Sequence, residues 1–188
     1  MRHLGSYVRE CFEKSLEIPV VDLYSAREVN VVALQCPDNP HYHVQSEAIF
    51  VEVLDDNRQP CAPGQIGRVV VTPLHNFATP LIRYEIGDFA EFGELCSCGR
   101  GLPVLKRIMG RARNMVTLPS GEKIWASISG GKLVEVAPIQ QIQLVQRKLD
   151  EIDVNLVVPN TLNAGKECQL RAALIDMLGY PFGNYIVD

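Results

Sequence analysis

The chain has no basic run, and its 188 residues carry a formal net charge of −4. That balance argues against a nucleic-acid-binding protein, which needs clustered cations to meet phosphates. No apolar stretch approaches the length that spans a bilayer. The opening residues Met1-Arg2-His3-Leu4-Gly5-Ser6 lack the apolar core of an export signal. Internal repeats and low-complexity segments are absent. The six cysteines are scattered unevenly and do not resemble a small secreted disulfide framework. A cytoplasmic location is therefore expected, with metal binding or burial as the role of the thiols. Neither nucleic acid nor membrane is expected as a partner.

What remains is ordinary globular material, 47% hydrophobic and 21% charged, long enough for one or two domains with a real core. Two of the cysteines stand one residue apart in Cys96-Ser97-Cys98-Gly99-Arg100-Gly101, which is unusual for a core strand. Upstream lie Cys36, in Gln35-Cys36-Pro37, and His41-Tyr42-His43. Cys36, His43 (or His41), Cys96 and Cys98 make a set of thiolate and imidazole donors that suits tetrahedral Zn²⁺. The alternative is free buried cysteines, which are common in cores.

Periodicity divides the chain near Gly110. Residues 7–17 read as a short amphipathic helix stopped by Pro19. Ile18 to Leu23 reads as a short strand, and Tyr24 to Glu28 as a loop. Val29 to Leu34, Ala48 to Leu54, Arg68 to Thr72, Leu81 to Tyr84 and Phe89 to Phe92 read as strands between turn-rich segments. Many short strands at close spacing predict a small distorted β-barrel or sandwich over about residues 30 to 110. Beyond it, Met115 to Leu118 and Lys123 to Trp125 predict a hairpin turned by Pro119-Ser120-Gly121. Ile139 to Gln146, Ile152 to Val158 and Tyr185 to Val187 predict strands. Lys166 to Leu178 predicts a helix with Cys168 in its buried face and Gly179 as its stop. The expected architecture is α+β: a barrel subdomain over 1–110 with the zinc site, then a compact α+β domain over 111–188.

Six ordered motifs resemble one family. They are Tyr24-Ser25-Ala26-Arg27-Glu28-Val29; Cys36 with His43; Gly64-Gln65-Ile66-Gly67-Arg68-Val69-Val70-Val71-Thr72; Pro80-Leu81-Ile82-Arg83-Tyr84-Glu85-Ile86-Gly87-Asp88; Cys96-Ser97-Cys98-Gly99-Arg100; and Gly110-Arg111-Ala112-Arg113-Asn114-Met115. Together they resemble phenylacetate–coenzyme A ligases, with the related coenzyme F390 synthetases and capsular-polysaccharide proteins of the adenylate-forming superfamily. Arg113-Asn114-Met115 leans toward the capsular-polysaccharide-like branch.

The resemblance implies that residues 1–110 end an adenylation domain and that 111–188 are a C-terminal lid. It implies ATP with Mg²⁺ and coenzyme A as the family's cofactors, and acyl-adenylate formation as its reaction. By it, Tyr24 stacks on adenine, Glu28 sits by Mg²⁺ and the phosphates, and Asp88 grips the ribose diol. Arg111 lies near ribose and phosphate, Arg113 falls at the hinge, and His43 is favoured over His41 as the metal ligand. Ser25, Arg27 and Arg113 depart from the family's usual residues. The family's Ser/Thr/Gly-rich phosphate loop has no counterpart here, and Tyr180 to Asp188 contains no lysine. No catalytic residue is therefore assigned, and the chain is expected to be a C-terminal part that is inactive alone. Its expected partner is a missing N-terminal domain or a second copy. The competing expectation is a non-catalytic, zinc-stabilised interaction module.

Overall fold

The structure is a computed structural model that describes residues 6–125, 130–181 and 184–187. The chain forms two units, residues 1–113 and 114–188. Among the described residues, no helix is long and apolar enough to cross a membrane.

The first unit opens with helix α1 (Ser6–Leu16). Glu17 ends it with a positive φ of 53°, its N–H still donating to the Glu13 carbonyl. Arg9 ties α1 down by donating to the Val20 carbonyl (2.7 Å) and to Gln35 Oε1 (3.1 Å). Seven strands follow: β1 (Leu23–Ala26), β2 (Asn30–Gln35), β3 (Tyr42–Val44), β4 (Ile49–Leu54), β5 (Ile66–Pro73), β6 (Tyr84–Phe92) and β7 (Val104–Arg111). They form one antiparallel sheet in the order β1-β2-β3-β7-β6-β5-β4.

This order corrects the expected barrel. β1 and β4 are the two edges, and no pairing among the described residues closes them on each other. The sheet is nevertheless strongly curled. β3 and β4 stand four strand positions apart, about 19 Å across a flat sheet at about 4.8 Å per strand. Yet only residues 45–48 join them, and their turn is tightened by the Ile49 N–H donating to the Gln45 carbonyl (3.0 Å). Such a link reaches its partner only if the sheet bends toward itself. One core inside the curl accordingly joins Tyr24 and Ala26 of β1 to Ile49 and Val53 of β4, through Val32, Val69, Val71 and Leu105.

Other expectations are corrected too, and residues 81–83, expected in a strand, are irregular, with β6 starting only at Tyr84. Residues 18–22 are irregular, with Ile18 and Val21 more than half exposed, so little apolar burial holds them as a strand. Tyr24 lies inside β1, fully buried, and the turn begins only at Arg27. Strand β7 escaped the reading because bulges against β6 break its in-out alternation around Lys106 and Arg107.

In the second unit, β8 (Met115–Thr117) and β9 (Lys123–Trp125) form the expected hairpin. Gly121 has φ 85° in its turn, a conformation that glycine adopts without Cβ strain. β10 (Gln141–Lys148) pairs antiparallel with β11 (Glu151–Val157), and β12 (Asn184–Val187) lies parallel to β11. Helix α2 (Gly130–Val136) precedes them, and α3 (Ala164–Leu178) lies between β11 and β12. The Asn163 side chain caps α3 by accepting from the Lys166 N–H (2.9 Å), and Gly179 ends it at φ 66°. Its buried stripe is Leu170, Leu174 and Leu178, spaced i, i+4, i+8. Cys168 is exposed, correcting its expected place in the core, because it falls outside that stripe. The stripe joins Val116, Leu133, Ile152 and Val154 in a second core.

Candidate functional site

Two polar clusters lie on the curled sheet. The first is built where the β2–β3 hairpin meets the loop between β6 and β7. Cys36 follows β2 directly, and its N–H donates to the His41 carbonyl (2.8 Å), which closes the turn of residues 37–40. His43 sits in β3, opposite Leu34 on one side and Val104 on the other. Cys36 and His43 are both 3% exposed. Cys96 and Cys98 come from the β6–β7 loop and are partly buried.

The sulfurs of Cys36 and Cys96 are 4.0 Å apart, and Cys98 Sγ is 3.3 Å from His43 Nε2. Donor atoms of Cys36, His41, His43 and Cys96 all lie within 4.8 Å of one another. Zn–S bonds of about 2.3 Å place two thiolates about 3.8 Å apart in a tetrahedron, so the Cys36–Cys96 separation fits a shared ion. The nitrogens support the same fit: His41 Nε2 is buried without a hydrogen-bond partner, and His43 presents Nε2 to Cys98. Leaving such an atom unpaired is costly, and a metal ligand bond would satisfy it. The structure thus brings Cys36, Cys96 and both candidate histidines, His41 and His43, together and places Cys98 beside His43.

Electrostatics also suit thiolate at Cys98. The Cys98 thiol is lowered to about 7, chiefly by the Arg100 backbone N–H, with Cys96 and the Arg100 side chain adding to it. Burial lowers His43, with His41 and Arg100 acting in the same sense, so the ring favours its neutral, ligating form. Asn39 Nδ2 lies 3.4 Å from Cys96 Sγ and 3.8 Å from Cys36 Sγ, and Arg100 lies 3.9 Å from Cys36 Sγ. These N–H groups donate to sulfur around the donor set. Sequence reasoning did not single out Asn39 or Arg100; their proximity to Cys36 and Cys98 in the chain was the available signal.

The second cluster is Tyr24, Asp88 and Arg111. Asp88 on β6 faces Arg111 on β7 across the ladder. Asp88 is 2% exposed; Tyr24 donates its hydroxyl to Asp88 Oδ2 (2.9 Å), and Arg111 Nε lies 3.1 Å from Oδ1. Arg111 also donates to the Ile86 carbonyl (2.5 Å). Burial, then the Asp88 charge, pushes the Tyr24 hydroxyl far above its ordinary value, so it remains a donor. Three of the four nucleotide candidates therefore meet. Glu28 does not join them: it is exposed in the turn between β1 and β2. The Tyr24 ring faces the core and presents no open face in this arrangement. Arg113 is exposed in the 3₁₀ turn Ala112–Asn114, where the first unit ends.

No protein-family model matches the chain. It is 29% identical over 161 residues to the phenylacetate-coenzyme A ligase of Thermus thermophilus, covering 80% of this chain and 36% of that enzyme. With the phenylacetate-coenzyme A ligase of Escherichia coli it shares 26% identity, over 96% of this chain and 44% of that enzyme. Among solved structures, 2-hydroxyisobutyryl-CoA ligase in its postadenylation state with 2-HIB-AMP matches with a TM-score of 0.65 at 23% identity. That match covers 96% of this chain and 41% of that one. The chain has the fold of the C-terminal portion of adenylate-forming acyl-CoA ligases. Within that class its sequence resembles the C-terminal portion of phenylacetate–coenzyme A ligases, and it spans 36% and 44% of the two relatives' lengths.

Proposed function

We propose that this chain supplies the nucleotide-holding sheet and the C-terminal lid of an acyl-adenylate-forming ligase of the phenylacetate–coenzyme A ligase type. In that reaction a carboxylate attacks the α-phosphorus of ATP, giving acyl-AMP and releasing pyrophosphate. A thiol such as that of coenzyme A then takes the acyl group and releases AMP. An aryl acid such as phenylacetate is the proposed substrate class, and the capsular-polysaccharide-like branch is the proposed subgroup. The single observation behind this reading is the meeting of Tyr24, Asp88 and Arg111 from three separate strands.

Asp88 would accept both ribose hydroxyls, with charge assistance strengthening the bonds. Because Tyr24 and Arg111 already engage its two oxygens, nucleotide binding would include release of the Tyr24 hydroxyl and a turn of its ring toward adenine. Arg111 would stay beside the ribose and phosphate, and Glu28 would approach with Mg²⁺, a hard cation that takes carboxylate oxygen. Arg113 would serve as the hinge on which the lid moves. Cys36, His43, Cys96 and Cys98 would hold a structural Zn²⁺, four protein ligands leaving no open position. The proposed macromolecular partner is a preceding ligase domain or a second copy of the chain.

AMP titration by calorimetry tests the reading. Wild type is expected to bind, Asp88→Asn to bind at least about tenfold more weakly, and exposed Asp56→Asn to bind normally. A folded chain that ignores AMP overturns it and favours a second reading, a zinc-stabilised interaction module. The full burial of Tyr24 is the observation on that side. These 188 residues contain no Ser/Thr/Gly-rich phosphate loop, so ATP–pyrophosphate exchange by the purified chain alone is expected to be absent. Detectable exchange would refute that expectation.

A further inference from the structure

The metal cluster holds one donor too many. Tetrahedral Zn²⁺ takes four ligands, whereas the donor atoms of Cys36, His41, His43 and Cys96 already lie within 4.8 Å of one another and Cys98 Sγ adds a fifth, 3.3 Å from His43 Nε2. Three of them are firmly placed. Cys36 and His43 are buried on the β2–β3 hairpin, and Cys96 Sγ is held by the Cys98 backbone N–H (3.4 Å) and by Asn39 (3.4 Å).

The remaining two differ in kind. Cys98 is followed in its loop by Gly99 at φ 79° and Gly101 at φ 67°, two left-handed positions that leave open space around them. His41 belongs to the turn that the Cys36 N–H closes, so its backbone is anchored. Its Nε2 is buried without a hydrogen-bond partner. Its ring stands edge-on to that of His43, with centroids 5.2 Å apart, so both imidazoles can approach one centre without stacking. A buried, unpartnered ring nitrogen beside a full ligand set is a ligand held in reserve.

We propose that Cys36, His43 and Cys96 are the constant ligands of this centre and that Cys98 and His41 share its fourth position. This rests on the zinc reading given above. It makes the centre tolerant of losing Cys98, because His41 closes the coordination sphere in its place and the site changes from three sulfurs and one nitrogen to two of each.

The test is zinc stoichiometry together with Co²⁺ substitution in the purified chain. Thiolate-to-cobalt charge-transfer absorption scales with the number of bound sulfurs, and tetrahedral cobalt has intense d–d bands. Wild type is expected to bind one equivalent with a three-thiolate spectrum. Cys98→Ser should keep one equivalent and its tetrahedral d–d bands while losing about a third of the charge-transfer intensity. His41→Ala should match wild type, and the double variant should lose at least about tenfold in zinc affinity.

Each other outcome decides something. Cys98→Ser that loses its metal, or keeps it with weakened d–d bands, overturns the reserve role of His41 and leaves the zinc reading standing. Metal loss in His41→Ala overturns the exchange in the other direction. Wild type that binds neither Zn²⁺ nor Co²⁺ removes the zinc reading, and this inference with it. Should the double variant fail to fold, the spectrum of Cys98→Ser alone still decides.

Discussion

The two polar clusters of the curled sheet solve the same problem in opposite ways. Around Asp88 the carboxylate is engaged from within, by the Tyr24 hydroxyl and the Arg111 guanidinium. Around Cys36 the donors converge and His41 Nε2 remains unsatisfied. A buried polar group left without a partner costs about 1–3 kcal/mol. A metal ligand bond would satisfy that nitrogen, whereas the Asp88 charge is met from within by Arg111 and Tyr24, although Asp88 Oδ1 accepts no hydrogen bond. On the proposed reading, the contrast separates a permanent metal from a transient nucleotide.

Removing metal should break the comparison most sharply. Free zinc at a thousandfold excess over Kd stabilises a native state by about 4 kcal/mol, and a strong chelator should remove that amount. Thermal melts with and without chelator check this, and Cys36→Ser should be insensitive to both treatments. Next comes Asp88→Ala, which leaves the buried Tyr24 hydroxyl without its acceptor and Arg111 without its counter-charge. A cost of about 3–5 kcal/mol is expected from chemical denaturation. Tyr24→Phe sharpens the same point at about 1–3 kcal/mol, since only one hydrogen bond goes. A Tyr24→Phe variant as stable as wild type would show the Asp88 cluster to be looser than its geometry.

Glu91 is a milder case of a carboxylate satisfied from within. It is buried, while its partners Lys106 (2.8 Å) and Arg107 (2.6 Å) are largely exposed. Lys106, then Arg107, holds its carboxyl below the ordinary 4.5, against the opposing effect of burial. A lowered folded-state value means that the unfolded chain binds the proton more readily. The contribution is therefore complete above about pH 4.5 and is lost as pH falls through the folded value. Glu91→Gln should lower stability by about 1 kcal/mol at pH 7 and flatten the acid limb of a stability–pH curve. The smallest effect belongs to Cys168→Ser: an exposed thiol outside the leucine stripe should shift stability by less than about 0.5 kcal/mol.

Much of this was legible in the amino-acid order, and the gaps have physical causes. Cys36, His43, Cys96 and Cys98 could be grouped because thiol and imidazole in turn-rich contexts have few other uses. Hairpin β8–β9 was legible from Pro119-Ser120-Gly121, and the end of α3 from Gly179. The open edge between β1 and β4 was not legible, because closure depends on pairing between remote strands. Strand β7 was hidden by its bulges. The placement of Cys168 went wrong because helix phase is set by the strongest stripe, Leu170, Leu174 and Leu178, and not by each apolar residue in turn. The inward position of Tyr24 had no local signal, since it follows from contact with Asp88, 64 positions away.

The pairing of Cys36 with Cys96 has a topological consequence. These residues are 60 positions apart, so an ion bound to both would convert the intervening segment, with β3, β4, β5 and β6, into a ring. Closing a ring of that size removes about 4 kcal/mol of chain entropy from the unfolded state on the polymer estimate used for disulfides. The loop between β5 and β6, with Phe77 84% exposed at its tip, lies inside the ring. If the centre holds zinc as proposed, a protease that cuts this loop would leave one particle held by metal, and chelation followed by mild denaturation would part it into two.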